Sequence, residues 1–444
     1  MTPRFDVVVV GAGVVGAAVA RALSHHQLDV ALLEAAADVG SGTSKANTAI
    51  LHTGFDATPG TLEGRLVPRG YAMLGTYAAR VGIAVEYLGA LLVAWDDDQV
   101  AALPGLADKA RANGYAQTRV VGRDELRVRE PHLGRGALAA LEVPDEAIID
   151  PWSPVIAYVT EAVTNGVELR RNTSVRSVTR GDPHVLHTTS GDLMARFVVN
   201  AAGLGADDLD QAFGFERFTV TARRGELIVF DKLARPLLSH IILPVPTSAT
   251  KGVLVSPTVF GNVMLGPTAE DLPDKTDTAS SAKGIASLIE KGRWIVPALI
   301  DEEVTAVYAG LRAATEFGDY QIHLDDRYLC LGGIRSTGLT ASMAIAEEAL
   351  SLLADAGLAL DAKARRHEPE MANLGEAFAR PYQSGGRVVC LCERVTEAEI
   401  RGALISTVPP ADLDGLRRRT RTLMGRCQGF HCLAEVRTLC GFDG

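Results

Sequence analysis

Two groups of residues in this chain have the types and spacing to do chemistry. The first lies near the carboxy terminus, where Cys390-Leu-Cys392 is followed, thirty-four residues later, by Cys427-Gln-Gly-Phe-His-Cys432. Two close pairs of thiolates make a four-sulfur donor set, suited to zinc or to an iron–sulfur cluster. Zinc sites usually separate paired ligands by two or more residues, so the lone Leu391 between two cysteines favours iron. The second group is FDVVVVGAGVVGAAVARALSHHQLDVALLE, residues 5–34. A β-branched run, Val7 to Val10, leads into Gly11-Ala-Gly13-Val-Val-Gly16 and an alanine-rich helix, and a second apolar strand ends on Glu34. This is the pattern that holds a dinucleotide. Gly11 permits the tight turn, Gly13 lets a pyrophosphate approach the backbone, and Gly16 lets helix pack on strand. The helix N-terminus offers N–H groups to the phosphates. Glu34 can accept both ribose hydroxyls of an adenosine and argues against a 2′-phosphate, hence against NADP.

Further candidates are more scattered. After Glu34 comes a stretch of small and hydroxyl residues, Gly40 to Gly54, containing Thr43, Ser44, His52 and Thr53. It reads as a loop lying along a ligand, or alternatively as an ordinary surface loop with a buried histidine. Arg223, Arg224, Lys251 and the turn Pro244-Val-Pro246-Thr247 fall in a β-rich region, and each could face either substrate or solvent. Gly332, Gly333 and Gly338 frame a turn before a helix starting near Leu339-Thr340, a second N-terminus suited to a ring carbonyl or a phosphate. Arg312 and Arg335 flank it, each able to grip an anion bidentately.

These residues must be positioned by a chain of 444 residues, long enough for two or three domains. Hydrophobic content of 47 % with 22 % charged residues suits a globular protein, and a net charge of −10 disfavours nucleic-acid binding. No apolar run reaches the length that spans a bilayer, and MTPRFD leads directly into the first strand, leaving no room for a signal peptide. The expected setting is the cytoplasm, where cysteines suit ligation better than disulfides; four of the six are placed as ligands, and Cys330 and Cys440 fall outside that pattern. Helices are expected over 59–80, 96–113, up to Thr164, and 280–295. Strands are expected within 82–95, at 167–169 and 174–178, and at Phe197–Asn200, which ends in Ala201-Ala202-Gly203. Residues 217–270 suggest an antiparallel sheet covering the substrate. Cys330 reads as a core strand residue.

In this order, GAGVVG with Glu34, TSKANTAILHTG at 43–54, VVNAAG at 198–203, AGLR at 309–312 and GGIRSTGLT at 332–340 resemble the FAD-dependent oxidoreductases of the D-amino-acid-oxidase and glycerol-3-phosphate dehydrogenase superfamily. The resemblance covers about residues 5–355. It implies an α/β fold: a Rossmann-type FAD-binding domain (1–80, 141–216 and 305–360) interleaved with an antiparallel-sheet substrate domain (81–140 and 217–304). It implies cofactor contacts at Gly11, Gly13, Gly16, Glu34, Thr43, Ser44, Val175, Ala202, Gly203, Gly333, Gly338, Leu339 and Thr340, with non-covalent FAD. His52 matches the loop beside the flavin, as candidate base, while Arg312 and Arg335 match the region that holds substrate anions. Separately, CxC, the TEAE capping box at Thr396–Glu399, a basic helix and MGRCQGFHC look like the bacterioferritin-associated-ferredoxin type of [2Fe–2S] domain, with Cys390, Cys392, Cys427 and Cys432 as ligands in a helical domain of about 380–444. Arg417, Arg418, Arg419, Arg421 and Arg426 are expected to offset the cluster's negative charge.

Two redox centres on one chain suit a dehydrogenase that takes a hydride from its substrate and passes single electrons onward. The expected substrate is a small anion. The first choice is sn-glycerol 3-phosphate, oxidised to dihydroxyacetone phosphate, and the runner-up is an L-2-hydroxyglutarate-type 2-hydroxy acid or an amino acid. From another class comes a non-catalytic FAD/[2Fe–2S] electron-transfer subunit. The partner would be an acceptor protein or a quinone-linked one, with homo- and hetero-oligomeric assembly both open.

Overall fold

The structure is a computed structural model, described over residues 2–246, 252–375 and 386–442. Thr247 and Lys251 lie outside the described residues, as does the start of the expected carboxy-terminal domain.

The amino-terminal strand, Arg4–Val10, sits in the middle of an eight-stranded sheet, parallel to Val30–Leu33 on one side and to Gly191–Asn200 on the other. Glu168–Arg170 and Tyr328–Gly332 extend the parallel part, and the hairpin strands Val175–Thr179 and His184–Thr188 add an antiparallel edge. The near-continuous apolar runs follow from burial on both faces. With the two-residue strand period, Val7, Val9, Leu32, Phe197 and Val199 enter a core shared with the helices Val14–Leu23, Leu62–Val81, Ser153–Thr164 and Gly338–Asp355. Val8, Val10, Leu33 and Val198 face the opposite core, closed by Phe213 and Tyr328, whose rings stack with centroids 3.8 Å apart. Cys330 is fully buried in that second core. The strand expected at 197–200 starts earlier, at Gly191, because its first half pairs with His184–Thr188.

The second sheet has nine strands and is antiparallel except where Ile241–Pro244 runs beside Ala90–Ala94. Val304–Ala314 pairs with Thr221–Phe230 along its whole length, so the strand carrying Arg312 belongs to this sheet and not to the first. The boundary expected at 305 therefore falls after the strand. Ala139–Val143, beside Ala90–Ala94, likewise straddles the boundary expected at 141. A three-stranded sheet, Ile50–Leu51, Ala147–Ile149 and Val85–Tyr87, lies between the two larger ones.

The carboxy-terminal unit is a short hairpin with the helices Glu397–Leu404, Leu413–Thr420 and Leu433–Cys440 around Val395, Ile400, Leu416 and Val436. Its first helix carries the expected capping box, with Thr396 and Glu399 satisfying each other's backbone N–H. The arginines expected to offset a cluster's charge have carboxylate partners as well, and Arg426 also lies within the influence of the Cys392 thiol. Arg418 and Arg419 are buried and both reach Asp38, the latter through two bonds of 2.6 and 2.9 Å. Arg417 pairs with Asp414, Arg421 with Glu393, and Arg426 with Glu303. A buried Asp38 needs strong partners, and the bidentate guanidinium of Arg419 supplies them, so these charges join the domains.

Asp38→Ala takes the buried carboxylate away from Arg418 and Arg419, which costs about 3–5 kcal/mol. The carboxy-terminal unit of that variant is expected to release first, as a separate early transition in denaturant titration.

Candidate functional site

At the carboxyl end of the first strand, the chain makes its tight turn with Gly11 at φ +103°. A Cβ on Gly16 would lie 1.9 Å from the Gly11 carbonyl oxygen, so only glycine lets the helix start against this turn. Gly13 differs: a Cβ there would meet no protein atom closer than the Ser44 hydroxyl, at 3.2 Å, and the residue lines a cavity of about 620 Å³. That volume lies within the roughly 300–1,000 Å³ range of ligand clefts. Its lining includes Gly11, Glu34, Thr43, Ser44, Val175, Ala202 and Gly203, and also Gly333, Gly338, Leu339, Arg312 and Arg335.

Two expected cofactor residues stand back from the lining. Gly16 packs on the turn, and Thr340 is fully buried, where its Oγ1 accepts the His52 N–H at 3.1 Å. Two details also differ from the sequence reading. The Val14 N–H, one of the groups expected to meet phosphate, donates instead to Ser44 Oγ at 2.9 Å. Glu34 already accepts the Ala12 and Ala36 N–H groups at 3.0 and 2.9 Å. Burial pushes its carboxyl above the usual range, opposed by these N–H groups. A carboxylate has about four acceptor positions, so room for ribose hydroxyls remains. Asn47, Thr48, Ala49, Leu204 and Pro267 were not singled out from sequence, yet they line the same cavity. The first three sit in the small-residue loop that was.

A second cavity of about 440 Å³ adjoins the first, and the two share Thr48, Pro267, Arg312, Arg335 and Ser336 in their walls. His52 and Arg223 line only the second, together with Asp56, Glu63 and Asp271. Arg312 donates to the Thr268 carbonyl at 2.7 Å and makes no ion pair among the described residues. Burial lowers its pKa, as does neighbouring Arg223, with Asp271 opposing, but a guanidinium stays charged throughout. Arg335 donates to the Gly318 carbonyl, with Glu63 at 3.9 Å. Arg223 is paired with Asp271, and Arg224 turns away to Glu270 and the Ala279 carbonyl. His52 Nδ1 lies 3.2 Å from Glu146 Oε2.

In the carboxy-terminal unit the four cysteines of the paired motifs lie on two loops. Cys390 and Cys432 are buried, and Cys392 and Cys427 are half-buried. Among the described residues no three Cys, His, Asp or Glu side chains converge as a single-ion site. The four thiols lie near enough to influence one another, Cys392 with Cys427 and Cys390, and Cys432 with Cys390 and Cys427. Burial would raise the Cys427 thiol, but hydrogen bonds from the His431 backbone, from Cys392 and from the Gly429 and Phe430 backbone hold it below its usual pKa. Burial and the adjacent Cys390 push Cys432 up to about 12.

The FAD dependent oxidoreductase (DAO) family pattern matches residues 6–352, and a BFD-like [2Fe-2S] binding domain matches 388–440. The chain belongs to the FAD-dependent oxidoreductases of the DAO family, with a BFD-like [2Fe–2S] domain at its carboxy-terminal end. It is 34 % identical to a glycerol 3-phosphate dehydrogenase of Caloramator mitchellensis, over 97 % of this chain and 93 % of that protein. The dithionite-reduced L-alpha-glycerophosphate oxidase of Mycoplasma pneumoniae, solved with FAD bound, superposes with a TM-score of 0.77 at 30 % identity, covering 82 % of this chain and 97 % of that one. An L-2-hydroxyglutarate dehydrogenase of Homo sapiens is 29 % identical over 60 % of this chain and 61 % of its own length.

Gly13→Leu is expected to fold yet purify without flavin absorbance, because its side chain would occupy the cavity at the turn. Cys427→Ser is expected to lose its iron by metal analysis while substrate still bleaches the flavin, since the cysteine loops lie outside both cavities.

Proposed function

We infer that the chain is a dehydrogenase that oxidises sn-glycerol 3-phosphate to dihydroxyacetone phosphate, with electrons leaving through the [2Fe–2S] domain to an acceptor protein or a quinone-linked partner. The observation that carries this reading is the pair of arginines at the junction of the two cavities. Arg312 and Arg335 border the larger cavity, which fits FAD, and also the smaller one, which fits a small anion. An anion on these arginines would share the smaller cavity with His52 and stand beside the cofactor cavity. FAD, when bound, supplies the two-electron oxidant. The chain's own part is to hold the anion, orient the alcohol and accept its hydroxyl proton, for which an imidazole is suited near neutral pH.

The glycerol 3-phosphate relatives support the substrate, and the match with the Caloramator mitchellensis enzyme runs through the carboxy-terminal unit. No helix among the described residues is long and apolar enough to cross a membrane. None of the six cysteines is paired in a disulfide, which suits a reducing cytoplasmic setting.

Anaerobic mixing with glycerol 3-phosphate is expected to bleach the flavin without any partner, faster than with L-2-hydroxyglutarate or glycine. No bleaching by any of them would favour a non-catalytic electron-transfer subunit. Truncating Arg312 or Arg335 to alanine should weaken glycerol 3-phosphate binding by about 2–5 kcal/mol, measured by calorimetry on the oxidised protein. His52→Ala should slow flavin reduction by roughly 10²-fold or more, and wild-type rates would reject its role as base.

A further inference from the structure

The sequence LEVPDEAIID holds one carboxylate that the proposed function has not used. Glu146 stands in the turn between the strands Ala139–Val143 and Ala147–Ile149, and it is fully buried. Burying a carboxylate is costly unless hydrogen bonds replace its water. Glu146 has them: Oε1 accepts the Thr53 backbone N–H at 2.7 Å and the Thr53 hydroxyl at 2.8 Å. Oε2 faces His52 Nδ1 at 3.2 Å.

The turn is itself braced. The Tyr71 hydroxyl donates to the Asp145 carbonyl at 2.7 Å, the Tyr115 hydroxyl to Asp145 Oδ2 at 2.9 Å, and the Gly89 N–H to the Glu146 carbonyl at 2.9 Å. On the other side the His52 backbone N–H is tied to Thr340 at the start of the helix Gly338–Asp355. The imidazole is thus held from two elements, by its backbone and by one ring nitrogen.

We propose that Glu146 is a positioning residue for the oxidation, fixing His52 in the Nδ1–H tautomer so that Nε2 is the atom that takes the substrate's hydroxyl proton. Oε1 accepting two hydrogens from Thr53 is the bonding of a carboxylate, whose oxygens only accept, so the hydrogen between Oε2 and Nδ1 belongs to the ring. In the step concerned, the substrate O–H bond breaks and its proton goes to Nε2. The carbinol C–H pair leaves for the bound oxidant, and the carbon–oxygen double bond forms. The ring ends as imidazolium, and its charge is offset by Glu146. This inference rests on His52 being the base. Among the described residues, the other charged groups lining the same cavity are Asp56, Glu63 and Asp271 and the arginines 223, 312 and 335, which Glu146→Gln leaves in place.

Removing the carboxylate charge destabilises the imidazolium, so the His52 pKa falls. In Glu146→Gln the acid limb of the kcat/KM profile for glycerol 3-phosphate should therefore move to lower pH. Its plateau should drop roughly 10²-fold or more, and Glu146→Asp should recover part of the loss. Affinity for glycerol 3-phosphate, held by the arginines, should change less than threefold. The independent readout is the ¹⁵N spectrum of the His52 ring in selectively labelled, oxidised wild-type protein, where neutral His52 should show the Nδ1–H tautomer. A His52 in the Nε2–H form overturns the proposal even if Glu146→Gln fails to fold. So does a Glu146→Gln enzyme with an unmoved limb and plateau while His52→Gln is slow. If His52→Gln itself keeps the wild-type plateau, the failure is that of the base assignment.

Discussion

Everything at the cofactor end depends on one close approach, that of Gly16 to the carbonyl of Gly11. With no side chain at either position, the helix Val14–Leu23 begins directly against the end of the central strand. That contact fixes where the turn runs, and the turn fixes what can line it. Ala12 reaches Glu34 from the neighbouring strand, and Val14 reaches Ser44 from the following loop. The loop is thereby stitched to the strand end at its start. Its far end, at His52, is stitched to Thr340 and Glu146. A segment of small, polar residues with little apolar area of its own is held by bonds to buried partners at both ends.

The same loop also carries the connection to the carboxy-terminal unit. Asp38 lies between Glu34 and the loop, and its carboxylate takes Arg418 and Arg419 from the helix Leu413–Thr420. Arg418 also donates to the Ser41 hydroxyl, and Lys45 pairs with Asp414 on the same helix. Arg421 lies over the ring of Phe260, which stacks on Trp152, and the Trp152 indole N–H donates to the Lys45 carbonyl. The domain that holds the cysteines is therefore fastened to the segment that walls the cofactor cavity, and buried charge does the fastening. A long connection could have left such a domain free to wander; a fully buried Asp38 cannot be satisfied unless it docks.

How far this was legible depends on whether a residue's partner lies nearby in sequence. The parallel strands and their helices announce themselves by period and by the glycine turn, because both faces of the sheet are buried and the pattern is local. The capping box at Thr396 is likewise complete within four residues. The arginines of 417–426 were legible as a basic cluster, but Asp38, the partner of Arg418 and Arg419, and Glu303, the partner of Arg426, are remote in sequence, so the role of these three as domain contacts was not. Arg312 was found by its motif, yet its sheet was misjudged because a strand's apolar pattern does not say which neighbour it pairs with. Glu146 carried no signal at all: a lone acid in a turn between two strands reads as solvated.

That last case shows where the chemistry of this fold is hidden. The arginines that face an anion have to be partly exposed to the cavity, so their motifs sit on strand ends and glycine turns, where sequence reading looks first. A group that works on another side chain has the opposite requirement. Glu146 acts on His52 most strongly where water is excluded, since a carboxylate in a low-dielectric surrounding interacts more strongly with a charge on the ring than it would in water. Its exclusion from solvent is supplied by the three-stranded sheet between the two large ones, in which Ala147–Ile149 pairs with the strand that precedes His52. The small sheet brings the turn and the loop into contact, and so sets the one distance, from Nδ1 to Oε2, on which the proton's position depends.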